Sequence, residues 1–212
     1  MNPPPPLDAP TRELLRFAAA IARGRDPELR QQVPRLLEAH VPAAWVEELL
    51  LQSVLMVGYP RTLIGARAWR DGSGLPAPAT DLGTDYGQAA GWTVQGEQTC
   101  ATVYGDHYDR LRDHVRELHP ALDAWMITEG YGRTLSRPGL DLPRRELCVV
   151  TQTAVLEAPR QLHSHLRGAL HAGASPAQVD ATLVLVRPLL DPAWADTMGR
   201  LWLKVRDGRQ PG

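Results

Sequence analysis

Apolar residues recur at three- and four-residue spacing in segment after segment of this chain, and strand-like alternation is nearly absent from its first half. That spacing predicts helices over 11–23, 27–39, 43–57 and 61–70, the last two parted by a turn at Gly58-Tyr59-Pro60. Thr11 or Asp8 suits the first cap. Residues 71–95 are rich in Gly, Pro, Ala, Thr and Asp and lack helical periodicity, so they read as a linker between two halves. Helices are expected again over 105–118, 120–129, 143–156, 159–172, 176–190 and 192–206. Pro176 after Ser175 is a helix start and Gly173 a helix end. Four consecutive prolines, Pro3 to Pro6, cannot enter a helix, so residues 1–10 read as a disordered or extended tail. The fold class is all-α.

The pattern repeats. A gapless shift of 133 residues lays Arg12-Glu13-Leu14 on Arg145-Glu146-Leu147. Leu29, Leu37, Ala39, Ala44, Val46 and Leu50 then fall on Leu162, Leu170, Ala172, Ala177, Val179 and Leu183. Two amphipathic helices in one register would explain the apolar matches; the charged Arg-Glu match favours a duplication. Residues 11–70 form the first, degenerate repeat and 96–206 the second, complete unit. His165 aligns with Gln32, so the first copy keeps its Glu and lacks the His.

Glu146 shares a helix face with Val149, Val150 and Thr153 and therefore points inward. On the next helix, Leu162, Leu166, Ala169 and Gly173 make the apolar stripe, and His165 lies at its edge. A carboxylate and an imidazole on the inner faces of consecutive helices can meet, and neither is cheap to bury alone. Such a pair fixes the ring in one tautomer and stabilises its protonated form, which suits proton transfer near neutral pH. The alternative is a structural pair that only ties two helices together. His163 is a second candidate acid or base, although side chains two apart on a helix diverge by about 200° and make a poor chelate. No Cys or acid stands at metal-ligand spacing, so no metal is expected. Arg137 and Arg145, with Tyr131 and Arg133 nearby, could hold a substrate carboxylate in a bidentate fork; otherwise Arg145 pairs with a neighbouring acid and Arg137 holds its turn through backbone carbonyls. His107 is a weaker candidate, and His40, His114, His119 and His171 read as surface or capping residues.

This stretch resembles the carboxymuconolactone decarboxylase and alkylhydroperoxidase D superfamily. The likeness rests on Arg145-Glu146-Leu147, on the Gln161-Leu162-x-x-His165 run, and on Ala169-Leu170-x-x-Gly173-x-Ser175 after it. Val103-Tyr104-Gly105, Glu129-Gly130-Tyr131-Gly132 and Arg137-Pro138-Gly139 resemble the front half of one unit, and Gly58-Tyr59-Pro60 resembles a unit's closing motif. The peroxidase branch of that superfamily carries two cysteines between its Glu and its His; here Ala158 and Gln161 occupy those positions. The resemblance implies a cofactor-independent lyase acting on a small cyclic acid or lactone, with His165 as general acid, Glu146 orienting it and an arginine binding a carboxylate. It also implies a homo-oligomer with sites near subunit contacts. Two alternatives stand beside it: a hydroperoxide-reducing protein, which the missing cysteine pair opposes, and a scaffold or small-ligand binder that kept the fold and lost the chemistry.

Composition narrows the partners. A formal net charge of -1 with no basic tract argues against nucleic acid. The apolar runs are too short for a bilayer, and the proline-rich start is unlike a signal peptide, so no membrane partner is expected. Cys100 and Cys148 form no Cys-x-x-Cys, and so few cysteines suit a reducing cytoplasm.

Overall fold

The computed structural model describes residues 6–208, and no strand occurs among them. The chain runs through α1 (Ala9–Arg23), α2 (Asp26–Glu38), α3 (Ala43–Ser73), α4 (Ala89–Tyr104), α5 (Tyr108–Leu118) and α6 (Pro120–Trp125). Beyond α6 a π-helical segment (Met126–Leu135) leads to α7 (Leu142–Val155), α8 (Pro159–His171), α9 (Pro176–Val186) and α10 (Pro192–Arg206). Many starts follow one rule: an Asp or Ser side chain accepts from a first-turn N–H, and a proline fills a position whose own N–H would be orphaned. Asp8, Asp141, Ser175 and Asp191 cap α1, α7, α9 and α10 in this way.

Three expectations need correction. Of the expected tail, residues 1–5 lie outside the described residues, while Leu7 is buried, Asp8 is the cap and α1 begins at Ala9. The two helices expected over 43–57 and 61–70 form one element that bends at Gly58, whose φ of 71° and ψ of 173° are non-helical. The bend returns Trp69 and Arg70 to Glu47, both hydrogen-bonded to its carboxylate. Each arm is shorter than the roughly 20 residues a bilayer span requires. The expected linker is also shorter than 71–95, because α3 continues to Ser73 and α4 begins at Ala89.

The 133-residue register holds in three dimensions. Ala9, Asp26 and Ala43 open α1, α2 and α3; Leu142, Pro159 and Pro176, each 133 later, open α7, α8 and α9. The left-handed joints match as well: Gly24 pairs with Glu157, and His40 with Gly173, all at positive φ. The Arg144 guanidinium donates to Thr11 Oγ1 at 2.9 Å, a contact between equivalent positions that places α1 beside α7 at the centre. In return, α1 packs on α9 and α7 packs on α3. Leu14, Phe17, Ile21, Leu29 and Leu49 of the first half join Leu147, Val150, Leu162, Leu166 and Val179 of the second in one core. A smaller cluster of Cys100, Val103, Ile127, Tyr131 and Leu135 lies between α4 and the π-helical segment. Those two elements touch backbone to backbone: a Cβ on Gly96 would stand 2.1 Å from the Ile127 carbonyl oxygen, and one on Gly132 1.9 Å from that of Trp92.

Candidate active site

α7 and α8 cross with Glu146 and His165 facing one another. His165 Nδ1 lies 2.8 Å from Glu146 Oε2, with Glu146 0% and His165 6% exposed. An ionised carboxylate only accepts, so Nδ1–H donates to it and the second ring nitrogen, Nε2, is left for chemistry. Nε2 makes no hydrogen bond among the described residues. Glu146 Oε1 is buried and without a hydrogen-bond partner among the described residues. Room for this carboxylate comes from Gly168, one turn after His165: a Cβ there would stand 2.7 Å from Glu146 Oε2.

Behind the pair lie two phenols. The Tyr104 ring sits edge-on to the His165 ring at 6.3 Å and edge-on to the Tyr131 ring at 6.2 Å. Burial pushes Tyr104 up to about 12 and Tyr131 well above its ordinary value, with the Glu146 charge acting in the same direction. Both therefore remain neutral donors at any ordinary pH. The thiols are equally inert. Burial raises Cys100 and Cys148 to about 12 each, so neither supplies a thiolate.

Tyr104 is also a wall of a cavity of about 290 Å³, completed by Val103, His107, Arg110, Leu111, His114, Ser164 and Arg167. This cavity is basic. Neither Arg110 nor Arg167 has an ion-pair partner among the described residues. His107 is held below its ordinary value by burial and by both guanidinium groups. A cluster of unpaired cations beside an imidazole suits an anionic ligand.

Of the residues singled out in the sequence, Glu146 and His165 are brought together and Tyr131 stands in the layer behind them. Arg145 is elsewhere. It is 0% exposed, and its nitrogens reach Glu48 Oε2 at 2.7 Å, the Leu140 carbonyl at 2.9 Å, the Arg137 carbonyl at 2.9 Å and Gln52 Oε1 at 3.2 Å. Arg137 is taken twice, by Glu48 at 2.9 Å and by Asp81 at 2.7 Å. These arginines join the two halves: Arg145 is sealed from solution, and the Arg137 guanidinium is already charge-paired with Glu48 and Asp81. His163 flanks the other side of α8, its Nε2 buried without a partner. Burial, then Arg167 and Lys204, lower its proton affinity. Among the described residues no set of His, Cys, Asp and Glu converges as metal ligands. Sequence reasoning missed Arg110, Arg167 and Ser164. Ser164 and Arg167, three apart on α8, share a face, which was the one signal available.

The sequence matches the family model described as "CMD: Carboxymuconolactone decarboxylase family" over residues 1–71 and 120–199. No curated protein matches the chain. The two matched segments divide as the two halves of the fold do, and residues 72–119, with α4 and α5, lie between them. With most of its length matched and its helices duplicated in register, the chain belongs to the carboxymuconolactone decarboxylase family.

Proposed function

We infer that Glu146 and His165 form the acid–base device of a lyase that needs no cofactor and acts on a small cyclic carboxylic acid or lactone. The buried 2.8 Å contact beside a basic cavity carries this reading. In the reaction, the bond from carbon to a substrate carboxylate breaks and carbon dioxide leaves. Its electron pair spreads into the conjugated lactone, and the imidazolium returns a proton to carbon from Nε2. Glu146 fixes the tautomer and stabilises the imidazolium; the ring regains its proton from water. Arg110 and Arg167 take the carboxylate-binding role that the sequence had suggested for Arg137 and Arg145. Since α4 and α5 supply much of the cavity wall and lie outside the family match, the choice of substrate resides in them.

The peroxidase reading is opposed by Ala158 and Gln161 at the cysteine positions and by two thiols raised to about 12. Family likeness also supports assembly of several chains, which light scattering measures. The test of the lyase reading is His165→Gln. Turnover of a lactone acid, followed as carbon dioxide release, should fall about 100-fold or more with the fold intact, because Gln32 already occupies the equivalent place. A lower melting temperature with unchanged turnover per folded molecule would make the pair structural.

A further inference from the structure

The first half holds a cavity of its own, of about 340 Å³, that neither the family nor the lyase reading uses. Its polar wall is Arg16, Arg23, Glu28, Gln31, Gln32 and Arg35; Ala20, Leu185 and Leu189 are its apolar wall. Gln31, Gln32 and Arg35 stand 133 residues before Ser164, His165 and Gly168, so the same face of the repeat borders both sites. The duplication has exchanged the chemistry. Gln32 replaces the imidazole, and Arg35 replaces the glycine that makes room for the Glu146 carboxylate.

Charge is uneven there. Glu28 is the acid of the lining, and it is held by Arg23 at 3.1 Å. Arg16 spends one nitrogen on Glu13 Oε1 at 2.8 Å, and Arg35 has no ion-pair partner among the described residues. Gln32 Oε1 in the wall and Oε2 of the buried Glu13 behind Arg16 are acceptors without partners among the described residues, so the donors for an anion are the guanidinium groups. Guanidinium groups facing a small cavity match a carboxylate, and the leucine side requires that the anion carry an apolar body.

We propose that the first half is a second ligand site, without acid–base chemistry, for a small organic carboxylate with an apolar body, held by Arg35 and Arg16. This goes beyond the lyase reading and does not depend on it, because it is read by binding alone.

The probe is 4-fluorobenzoate, titrated by fluorine NMR into Arg110→Ala/Arg167→Ala, which removes the basic wall of the Glu146–His165 site. Saturable binding of one equivalent per chain should remain. Adding Arg35→Ala should weaken it at least about tenfold, the scale of one charge-assisted hydrogen bond. Arg35 is exposed and has no ion-pair partner among the described residues, so circular dichroism should show that variant folded; Arg16→Ala is the second variant and should also weaken binding. Inorganic phosphate at equal concentration should not displace the probe. No saturable binding in the starting variant, an affinity indifferent to Arg35→Ala, or displacement by phosphate would each overturn the proposal.

Discussion

Replacing Gly168 with alanine tests whether the Glu146–His165 contact is a built device or an incidental pair. The new Cβ would lie 2.6 Å from Val103 Cγ1 and 2.7 Å from Glu146 Oε2, where ordinary contact begins near 3.4 Å. Something must move by about 0.7 Å. Val103 is buried on α4, and α4 is locked against the π-helical segment at Gly96 and Gly132. The carboxylate is therefore the group that yields. Moved by that distance from 2.8 Å, it leaves hydrogen-bond range of Nδ1. Its loss costs about 1.5–3 kcal/mol. Moving the carboxylate does not relieve the contact with Val103, so overpacking adds about 1–3 kcal/mol. Alanine returns about 1 kcal/mol of helix propensity. The net destabilisation is then about 1.5–5 kcal/mol, which urea unfolding measures.

Turnover per folded molecule should fall as well, because an imidazole without its carboxylate loses both its fixed tautomer and the charge that stabilises its protonated form. The expected fall is about 10- to 100-fold, in kcat more than in KM, since Gly168 is not among the residues lining the cavity. Imidazole nitrogen NMR should show the ring released from its single tautomer. A Gly168→Ala protein that is more stable by about 1 kcal/mol, with full turnover and an unchanged tautomer, would refute the reasoning.

Arg145→Ala should behave in the opposite way. It leaves the Glu48 carboxylate buried and half-paired at the seam of the two halves, so urea unfolding should show a loss of about 3–5 kcal/mol while turnover per folded molecule holds. Stability should also fall as pH drops below 6.5, the ordinary histidine value, because His163 and His107 both lie below it in the fold. A lowered value means the unfolded chain binds the proton first; the stabilisation is complete above 6.5 and is lost as pH falls through the lowered values. Melting temperatures between pH 7.5 and 5 should show that slope, and His163→Gln should reduce it; an unchanged slope would remove His163 as a source. Asp81 and Asp123, lowered by hydrogen bonds from Arg137 and Arg112, act below 3.8 and do not blur this window.

How far the sequence was legible depended on whether a residue's role lay on its own helix. Helix starts followed from Asp8 and from Ser175 with Pro176 after it, because capping is local. The inward angles of Glu146 and His165 followed from helical spacing, and their meeting followed from the short Glu157-Ala158-Pro159 break. The helix α4 was missed because its buried face is Trp92, Gly96, Cys100 and Val103, and a glycine contributes no side chain to a hydrophobic stripe. Gly96 is buried because a backbone approaches it, and no pattern in the chain records that. The sequence leaves the partner of Arg137 and Arg145 open for the same kind of reason: Glu48 lies 89 and 97 residues away along the chain, and only the packing of α3 brings it near.

Why one half carries the acid–base pair follows from what covers each copy of the repeat. In the second half, α4 lays Val103 and Tyr104 over the α8 face, and Gly168 lets the Glu146 carboxylate fit beneath them. In the first half the cover of the equivalent face is Leu185 of α9 and Leu189 beyond it, both from the other copy. Arg35 is exposed there, whereas an arginine at position 168 would drive into Val103 and Glu146. Glu13 then loses its imidazole partner and turns to Arg16. One helical frame, duplicated, thus supports an enclosed acid–imidazole pair where α4 covers it and an arginine-lined cavity where leucines of the other copy do.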